Sequence, residues 1–330
     1  MSNFGHAISS AAETETPQTG WGGEQAEMQS EHAPSRASEV SATVASTSPD
    51  YNYAYLNEST KRMIRRTLLK AIAIPGHQVP FASREMPMPY GWGTGAIQIT
   101  ASVIGPDDCF KCIDQGADDT TNAVSIKSFF AQMASVEITE ETARATMIQT
   151  RHRVPEHPLT EGQVIVFQVP YPEPLRFLEP RETETRAMHA FAEYGLQYTS
   201  LYEDVAATGQ VSATHGHPVI VDDRYIMSPS PIPSFDNPKL HESPALQLYG
   251  AGREARIYAI PPYTTVSSLE FADRPFEVQT WSRPCALCGH AGGYLDEIIT
   301  DDQGNSILVC SDTHFCEQQR SAEARHAARP

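Results

Sequence analysis

Hydrophobic residues recur at helical spacing in residues 59–72, where Ile64 and Leu68 share one face. Ser59 or Thr60 is the expected N-cap of this predicted helix. The opposite face is basic and consists of Arg62, Arg65, Arg66 and Lys70. A face of this kind is either solvated or bound to a phosphate group or an acidic partner.

Strand-like and helix-like patterns alternate along the rest of the chain. Alternation of polar and apolar residues predicts strands near 96–104, 145–150, 164–169 and 256–260, and a hairpin at 219–227. Helical patterns cover 120–133 and 181–193. Proline and glycine crowd residues 75–95, which predicts a long shaped loop that ends at Gly91, Gly93 and Gly95. Interleaved helices and strands indicate a mixed α/β core.

The first 50 residues differ in composition from the remainder. They are rich in Ser, Thr, Ala, Glu and Gln, show no apolar period, and carry seven acidic residues against the single base Arg36. Such a segment buries too little apolar surface to fold, so we expect a disordered acidic tail at 1–50. We predict a catalytic core at 51–280 and a cysteine-bearing hairpin with a C-terminal tail at 281–330.

Charge and hydropathy argue against two classes of protein, nucleic-acid binders and membrane-spanning proteins. The chain has 330 residues and a formal net charge of −17, which argues against a nucleic-acid binder. No apolar run approaches the length that spans a bilayer, and the N-terminus does not resemble a secretory signal. We therefore expect a cytoplasmic protein without membrane insertion, in which six cysteines act as metal ligands or reactive thiols rather than as disulfides.

Four cysteines near the C-terminus have the spacing C-x2-C-x21-C-x5-C. They are Cys285, Cys288, Cys310 and Cys316. A hairpin is expected between the second and third, because two strand-like runs flank a turn-rich segment at 301–305. Four thiolates suit both zinc and an iron–sulfur cluster, and the spacing alone favours structural zinc. A second C-x2-C pair, Cys109 and Cys112, has no companion pair and is expected to be two thiols in a helix.

Dense motifs along the chain closely resemble the carbon–phosphorus lyase catalytic subunits of bacterial phosphonate breakdown. The matching segments are Tyr55-Leu56, Thr60–Arg66, Ile74-Pro75-Gly76, Arg84–Gly95, Asp114–Val124, Gln149–Arg153, Glu173–Phe177, Glu179–Arg186, Pro229–Pro233, Gly250–Glu254 and the cysteine cluster. The resemblance extends from about residue 51 to Cys316. Its departures are few: Ala96 stands where the family has glycine and His77 where it has tyrosine. Cys109 and Cys112 are not part of the family pattern.

The resemblance implies a radical S-adenosylmethionine enzyme. Its substrate would be α-D-ribose 1-methylphosphonate 5-phosphate, and its products methane and α-D-ribose 1,2-cyclic phosphate 5-phosphate. The family pattern assigns Cys285, Cys288 and Cys310 as ligands of a [4Fe–4S] cluster, Cys316 as the thiol that becomes a radical, and Gly76 as the hydrogen-atom relay. It also implies an assembly with other carbon–phosphorus lyase subunits and an ATP-binding-cassette protein.

The roles of several candidate residues remain open at this point. The substrate carries two phosphorus groups, for which the candidate binding residues are Arg151, His152, Arg153, Arg253, Gly91, Gly93 and Gly95. The arginines could instead pair with local acids, and His152 could bind a metal. The alternative function is that of a non-catalytic zinc-bearing subunit of a phosphonate-processing assembly. Zinc alone does not indicate this function, because under aerobic conditions zinc could replace a lost cluster in the same four cysteines.

Overall fold

A computed structural model describes the chain at 56–81, 94–169, 174–208, 218–227, 232–233, 235–252, 255–273 and 280–327. The tail expected at 1–50 lies outside these residues. Three of the candidate phosphate-binding residues, Gly91, Gly93 and Arg253, also lie outside them.

Helices and strands interleave along the described chain, as the sequence pattern predicts. The helices are α1 (Glu58–Ala73), α2 (Thr94–Val103), α3 (Thr121–Ala134), α4 (Glu182–Phe191), α5 (Gly195–Thr208) and α6 (Thr313–Ala327). The strands are β1 (Val79–Pro80), β2 (Cys109–Asp114), β3 (Glu137–Ile138), β4 (Met147–Arg151), β5 (Val164–Gln168), β6 (Val219–Val221), β7 (Tyr225–Met227), β8 (Leu246–Ala251), β9 (Arg256–Ile260), β10 (Val266–Ser268), β11 (Leu295–Ile299) and β12 (Ser306–Cys310). The mixed α/β class with a C-terminal cysteine hairpin is confirmed for this part of the chain.

A seven-stranded sheet forms the centre, in the order β1-β9-β8-β5-β4-β2-β3. The five strands from β8 to β3 run parallel, and β9 and β1 continue the sheet in alternating antiparallel directions. Two smaller sheets accompany it, one of order β10-β6-β7 and one formed by the β11–β12 hairpin.

The central sheet is covered on both faces. One face packs against α1, α2 and α3 through residues such as Phe110, Val166 and Leu248. The other face packs against the β10-β6-β7 sheet through residues such as Phe167 and Tyr249. Burial on both sides is typical of parallel strands, and β2, β4, β5 and β8 are buried along most of their length, polar residues included.

The carboxyl ends of β2 and β4 mark the point where the chain diverges. From β2 it runs through α3 to β3 on one side, and from β4 it runs to β5 on the other. In parallel sheets such a divergence opens a crevice where functional loops gather. The loops that follow Asp114 and Arg151 therefore face each other at this edge.

The strand predicted at 96–104 is wrong, because these residues form helix α2. Polar and apolar residues alternate there, but the helix is buried on all sides, so Gln98, Thr100 and Ser102 are as buried as the isoleucines beside them. Thr100 Oγ1 donates to Gln149 Oε1 at 2.8 Å, and Ser102 Oγ donates to the Gln98 carbonyl at 2.7 Å. The alternation reflects internal hydrogen bonds rather than an exposed face.

Helix boundaries also differ in detail from those expected. The N-cap of α1 is Asn57, whose side chain accepts from the Thr60 N–H at 2.8 Å, rather than Ser59 or Thr60. The segment after α4 begins a second helix, α5, at Gly195, which the sequence pattern did not indicate. The basic residues Arg62, Arg65, Arg66 and Lys70 of α1 are exposed. Among the described residues, no helix is long and apolar enough to cross a membrane.

Helix α2 lies directly on the end of β8 through two glycines. A Cβ built on Gly95 would lie 2.5 Å from the backbone C and O atoms of Gly250 and from the backbone N of Gly252. Real carbon atoms do not approach backbone this closely, so only glycine fits at this contact. This requirement explains Gly95 without reference to any ligand.

We expect Gly95→Ala to lower the free energy of unfolding by about 1–3 kcal/mol, because the added methyl group must push α2 away from β8. The measurement is urea-induced unfolding followed by circular dichroism. Gly195→Ala is the matched control, since a Cβ there meets nothing within 4 Å. Equal stability of the two variants would contradict the close packing of α2 on β8.

Candidate functional site

The four C-terminal cysteines converge on one buried site. Each sulfur atom lies within 4.8 Å of every other, and all four residues are buried. Cys285 and Cys288 come from a tight turn, Cys310 from the end of β12, and Cys316 from the first turn of α6. The sequence therefore identified the residues that meet, although they are up to 31 positions apart.

The hairpin and a turn of backbone hydrogen bonds hold the cysteines in place. The β11–β12 register pairs Leu295 with Cys310. The Gly289 N–H donates to the Cys285 carbonyl at 2.9 Å, which closes the knuckle, and the Ala286 N–H donates to the Leu308 carbonyl at 2.7 Å, which ties it to β12. The expected hairpin is thus confirmed.

The sulfur atoms differ in their electrostatic surroundings. Burial acts to raise the pKa of Cys285, but N–H groups of Cys288, Leu287 and Cys310 point at its sulfur and lower that pKa to about 6. Burial and the neighbouring thiols raise the pKa of Cys316 to about 12 and also raise that of Cys310. The lowered pKa of Cys285 favours its thiolate, which is the form that binds a metal.

This donor set fits a metal. Cys285 Sγ lies 3.8 Å from Cys316 Sγ, and Cys288 Sγ lies 3.5 Å from Cys310 Sγ. Zn–S bonds of about 2.3 Å in a tetrahedron require sulfur–sulfur edges of about 3.8 Å. Four buried thiols also suit an iron–sulfur cluster, and distance alone does not distinguish Cys316 from the other three.

The cysteine hairpin contacts the loop that follows β2. A Cβ on Gly116, which has φ +94°, would overlap Ser311 Oγ. Thr313 Oγ1 donates to Asp119 Oδ1 at 3.5 Å. This loop belongs to the 114–124 family motif, and these contacts bring the motif against the residues between Cys310 and Cys316.

A buried ion pair anchors the same loop. Lys111, on β2, is hydrogen-bonded to the Asp118 carboxylate, and its Nζ donates to the Glu140 carbonyl at 2.6 Å. Burial raises the pKa of Asp118 even though Lys111 acts in the opposite direction. The sequence pattern did not predict this pair, although a lysine between apolar residues of β2 was the available signal.

Arg151 ends β4, and His152 and Arg153 begin the loop that follows, at the same edge of the sheet as Asp114. Arg151 forms a two-pronged ion pair with Asp114, with Nε 2.7 Å from Oδ1 and Nη2 3.0 Å from Oδ2. The Arg153 guanidinium lies over the Tyr294 ring, 3.6 Å from its centroid. Both guanidiniums therefore have partners inside the chain.

His152 has φ +76°, a left-handed conformation that side chains rarely adopt. Desolvation and the charges of Arg151 and Arg153 lower the pKa of His152, although the residue is exposed and Asp114 acts in the opposite direction. The lowered pKa favours the neutral imidazole, and a neutral ring has one nitrogen that can accept a proton or bind a metal.

Gly76 lies at the turn after α1, against β9 and the β6–β7 hairpin. It has φ +74°, and its N–H donates to the Ala259 carbonyl at 2.8 Å. A Cβ built on Gly76 would lie 3.2 Å from the Cβ atoms of Tyr225 and Val221. The adjacent His77 ring is 5.8 Å from that of Tyr225. The backbone at Gly76 is thus held firmly in a conformation that favours glycine.

Cys109 and Cys112 lie on strand β2 and not in a helix, so the expected helix is wrong. Three residues apart on a strand, they point to opposite faces of the sheet. Burial raises the pKa of both thiols. They are therefore separate core residues rather than a pair.

Comparison with known proteins supports the family resemblance that the sequence motifs indicate. The family model described as "Phosphonate metabolism protein PhnJ" matches residues 49–322. A protein of Rhizobium meliloti (strain 1021) named "Alpha-D-ribose 1-methylphosphonate 5-phosphate C-P-lyase" is 66% identical over 271 residues, which cover 82% of this chain and 91% of that protein. An Escherichia coli (strain K12) protein of the same activity name is 65% identical over 273 residues, which cover 83% and 97%. The chain therefore belongs to the PhnJ family of phosphonate metabolism proteins.

Proposed function

We propose that this protein is a carbon–phosphorus lyase that converts α-D-ribose 1-methylphosphonate 5-phosphate to methane and the 1,2-cyclic phosphate 5-phosphate. The observation that carries the proposal is a buried four-thiol site in a chain about two-thirds identical to two proteins named for cleavage of this substrate. The reaction would proceed by radical S-adenosylmethionine chemistry, as the family resemblance implies.

Cys285, Cys288 and Cys310 would hold a [4Fe–4S] cluster with one open iron, to which S-adenosylmethionine binds. When bound, these groups supply a 5′-deoxyadenosyl radical. The low pKa of Cys285 supports its role as the first ligand. Cys316 would stay free of iron, because a fourth cysteine ligand closes the site to the cofactor.

Gly76 and Cys316 would carry the radical through the reaction. With the cofactor bound, Gly76 would give up a Cα hydrogen atom and would regain one from the Cys316 thiol, which would become a thiyl radical. The thiyl sulfur adds to phosphorus and expels a methyl radical, and the methyl radical takes a hydrogen atom from Gly76 to give methane. The ribose 2-hydroxyl would then displace sulfur from phosphorus, and its proton would pass to the departing Cys316 sulfur, which forms the cyclic phosphate and restores the Cys316 thiol. The remaining glycyl radical regenerates the thiyl radical from Cys316.

Glycine suits the relay because its Cα radical lies between an amide nitrogen and a carbonyl, with no side chain to oppose planarity. The hydrogen bond from the Gly76 N–H to Ala259 supports this role, since it fixes the direction in which the Cα hydrogens point. The raised pKa of Cys316 supports a second element of the proposal. A thiol that keeps its proton can donate a hydrogen atom, whereas a thiolate cannot.

The phosphorus groups of the substrate would bind at the carboxyl edge of the sheet. Arg151, Arg153 and the neutral His152 lie there, and Gly95 lies where α2 begins beside β8. Arg253, Gly91 and Gly93 are proposed on the family motif alone. Arg151 would have to share or exchange Asp114 when an anion binds, and His152 could hold a metal instead.

A structural zinc site is the second candidate, and one observation favours it. The sulfur–sulfur distances of 3.5 and 3.8 Å match a single tetrahedral ion. Under this alternative all four cysteines bind zinc and the chain is a non-catalytic subunit. Anaerobic purification distinguishes the candidates: brown protein containing iron and sulfide supports the lyase, whereas colourless protein with one zinc supports the alternative.

The protein would work in the cytoplasm with other carbon–phosphorus lyase subunits and an ATP-binding-cassette protein. The exposed apolar side chains of α4 and α5, which include Phe191 and Leu196, support association with further chains. Co-purification of the full chain from phosphonate-grown cells tests this part of the proposal.

We expect Cys285→Ala, Cys288→Ala and Cys310→Ala each to lose the cluster absorbance and all cleavage of S-adenosylmethionine, because three thiolates are the minimum that holds the cluster. The measurements are iron, sulfide and 5′-deoxyadenosine after anaerobic reconstitution. Cys112→Ala, which removes a buried thiol from the core, is the control and should retain the cluster. Full cofactor cleavage in any of the three variants would remove that cysteine from the ligand set.

We expect Gly76→Ala to keep the cluster and bind the cofactor but to release no methane, because the added Cβ crowds Tyr225 and Val221 and opposes a planar radical. Gly162→Ala controls for the strain of a positive φ, since Gly162 has φ +81° and no atoms near its Cβ position. As an independent measurement, wild-type protein grown on deuterated glycine should give methane that carries deuterium. Methane at the wild-type rate from Gly76→Ala would rule out this relay.

Cys316→Ser separates the two candidate functions. The lyase proposal expects an intact cluster and 5′-deoxyadenosine but no methane, because serine cannot form the sulfur–phosphorus bond. The zinc alternative expects loss of metal and a loosened hairpin, because tetrahedral zinc requires all four thiolates. Cluster absorbance, 5′-deoxyadenosine and methane are measured on one anaerobic sample. Methane production by this variant would exclude the thiyl role.

A further inference from the structure

Glu156 lies on the loop that follows β4, three residues beyond Arg153, and makes three contacts at once. Its backbone N–H donates to Asp312 Oδ2 at 3.2 Å. Its Oε1 accepts from the Tyr294 N–H at 3.2 Å, and its Oε2 accepts from Lys239 Nζ at 3.0 Å. Its side chain is only 10% exposed, so water screens these contacts weakly.

The first contact bears on Cys316. Asp312 caps α6, since its Oδ1 accepts from the Phe315 N–H at 2.9 Å and its carbonyl accepts from the Cys316 N–H at 3.1 Å. The Glu156 backbone therefore holds the residue that starts the helical turn in which Cys316 lies. A shift of this cap moves Cys316 with it, because the turn is hydrogen-bonded to Asp312.

The second contact bears on Cys310. The Tyr294 N–H is held by Glu156, and the Tyr294 carbonyl accepts from the Ser311 N–H at 3.0 Å. Tyr294 precedes β11, whose first residue pairs with Cys310. The Glu156 carboxylate thus fixes the end of the hairpin from which Cys310 projects.

The third contact keeps the carboxylate in position. Lys239 pairs with Glu156 and also lies 3.4 Å from Asp236 Oδ1, in a carboxylate that is fully buried. A charged acceptor holds an N–H group more strongly than a neutral one does. The lysine bond orients Glu156 so that its other oxygen faces Tyr294.

We propose that Glu156 is a positioning residue that fixes Cys310 and Cys316 relative to the core, and so sets where the Cys316 sulfur meets substrate. An ordinary exposed ion pair contributes little, but this group is nearly buried. It joins the core to Tyr294, just before β11, and to Asp312, between Cys310 and Cys316. The catalytic part of this inference rests on the proposed function; the positional part does not.

The test compares full-length Glu156→Ala, Glu156→Gln and wild type, each produced with the accessory subunits and reconstituted anaerobically. Hydrogen exchange is measured at residues 312–318, together with iron content, 5′-deoxyadenosine and methane. Glu156→Ala keeps the backbone N–H that holds Asp312 but loses both carboxylate contacts, with Tyr294 and Lys239, that hold this backbone in place. We therefore expect it to lose at least about tenfold in amide protection at 312–318 while keeping its cluster. Methane formed per 5′-deoxyadenosine should fall by about 10- to 100-fold, because a displacement near 1 Å has effects of this size.

Two of the variants serve as controls for the loss of the Glu156 carboxylate. Glu156→Gln keeps an oxygen that accepts from Tyr294 and should recover most of the protection and of the methane yield per 5′-deoxyadenosine. Glu203→Ala removes an exposed glutamate on α5 and should match wild type in exchange and cluster content.

Three results would overturn the proposal: wild-type protection at 312–318 in Glu156→Ala, an unchanged ratio of methane to 5′-deoxyadenosine, or loss of protection throughout the chain in both Glu156 variants. If wild type itself yields neither 5′-deoxyadenosine nor methane, the proposed function fails. Hydrogen exchange then decides the positional role alone, since loss confined to 312–318 supports it and unchanged exchange contradicts it.

Discussion

The parallel pairing of β2 with β4 brings the candidate site together. Its register places Asp114 opposite Arg151, so both strands end at the same edge and the two charged side chains meet there. Parallel strands are joined by long connections, and here those connections leave in opposite directions. The loops at their carboxyl ends are therefore free to turn toward the cysteine hairpin, which contacts them at Gly116 and Arg153. A change in this register would separate every contact described at that edge.

The edge of the sheet is polar yet poorly exposed, and burial shapes its chemistry. Lys111 and Asp118 form an ion pair inside the fold, and Asp236 is buried between Lys239 and the backbone of Val154. Burying such groups costs free energy unless each finds a partner, so the loops here have little freedom to rearrange. Rigid loops suit a reaction in which a sulfur atom must meet a phosphorus atom at short range.

The cysteine site shows how one donor set can serve two chemistries. Four sulfur atoms within 4.8 Å of one another can surround a single ion or hold a cluster through three of their number. The two arrangements differ in the fourth cysteine, which is a thiolate ligand of a single zinc ion but stays a protonated thiol beside a cluster held by the other three. The raised pKa of Cys316 and the lowered pKa of Cys285 make the four sulfurs unequal even where their distances are similar. The pKa of Cys310 is raised as well, so these directions single out Cys285 but do not separate Cys316 from Cys310.

The sequence by itself determined the elements with strong periodicity and the residues of the metal site. Helix α1, strands β5 and β9 and the cysteine hairpin follow from local patterns, because their apolar faces and turn residues are contiguous in the chain. Only the tertiary structure shows that the alternating polar and apolar residues of α2 form a helix, because polar side chains there bond to distant residues such as Gln149. It also decided the contacts of Glu156 with Asp312 and Tyr294, 156 and 138 residues away. No local sequence pattern predicts such contacts, because they form only when segments far apart in the chain meet in the fold.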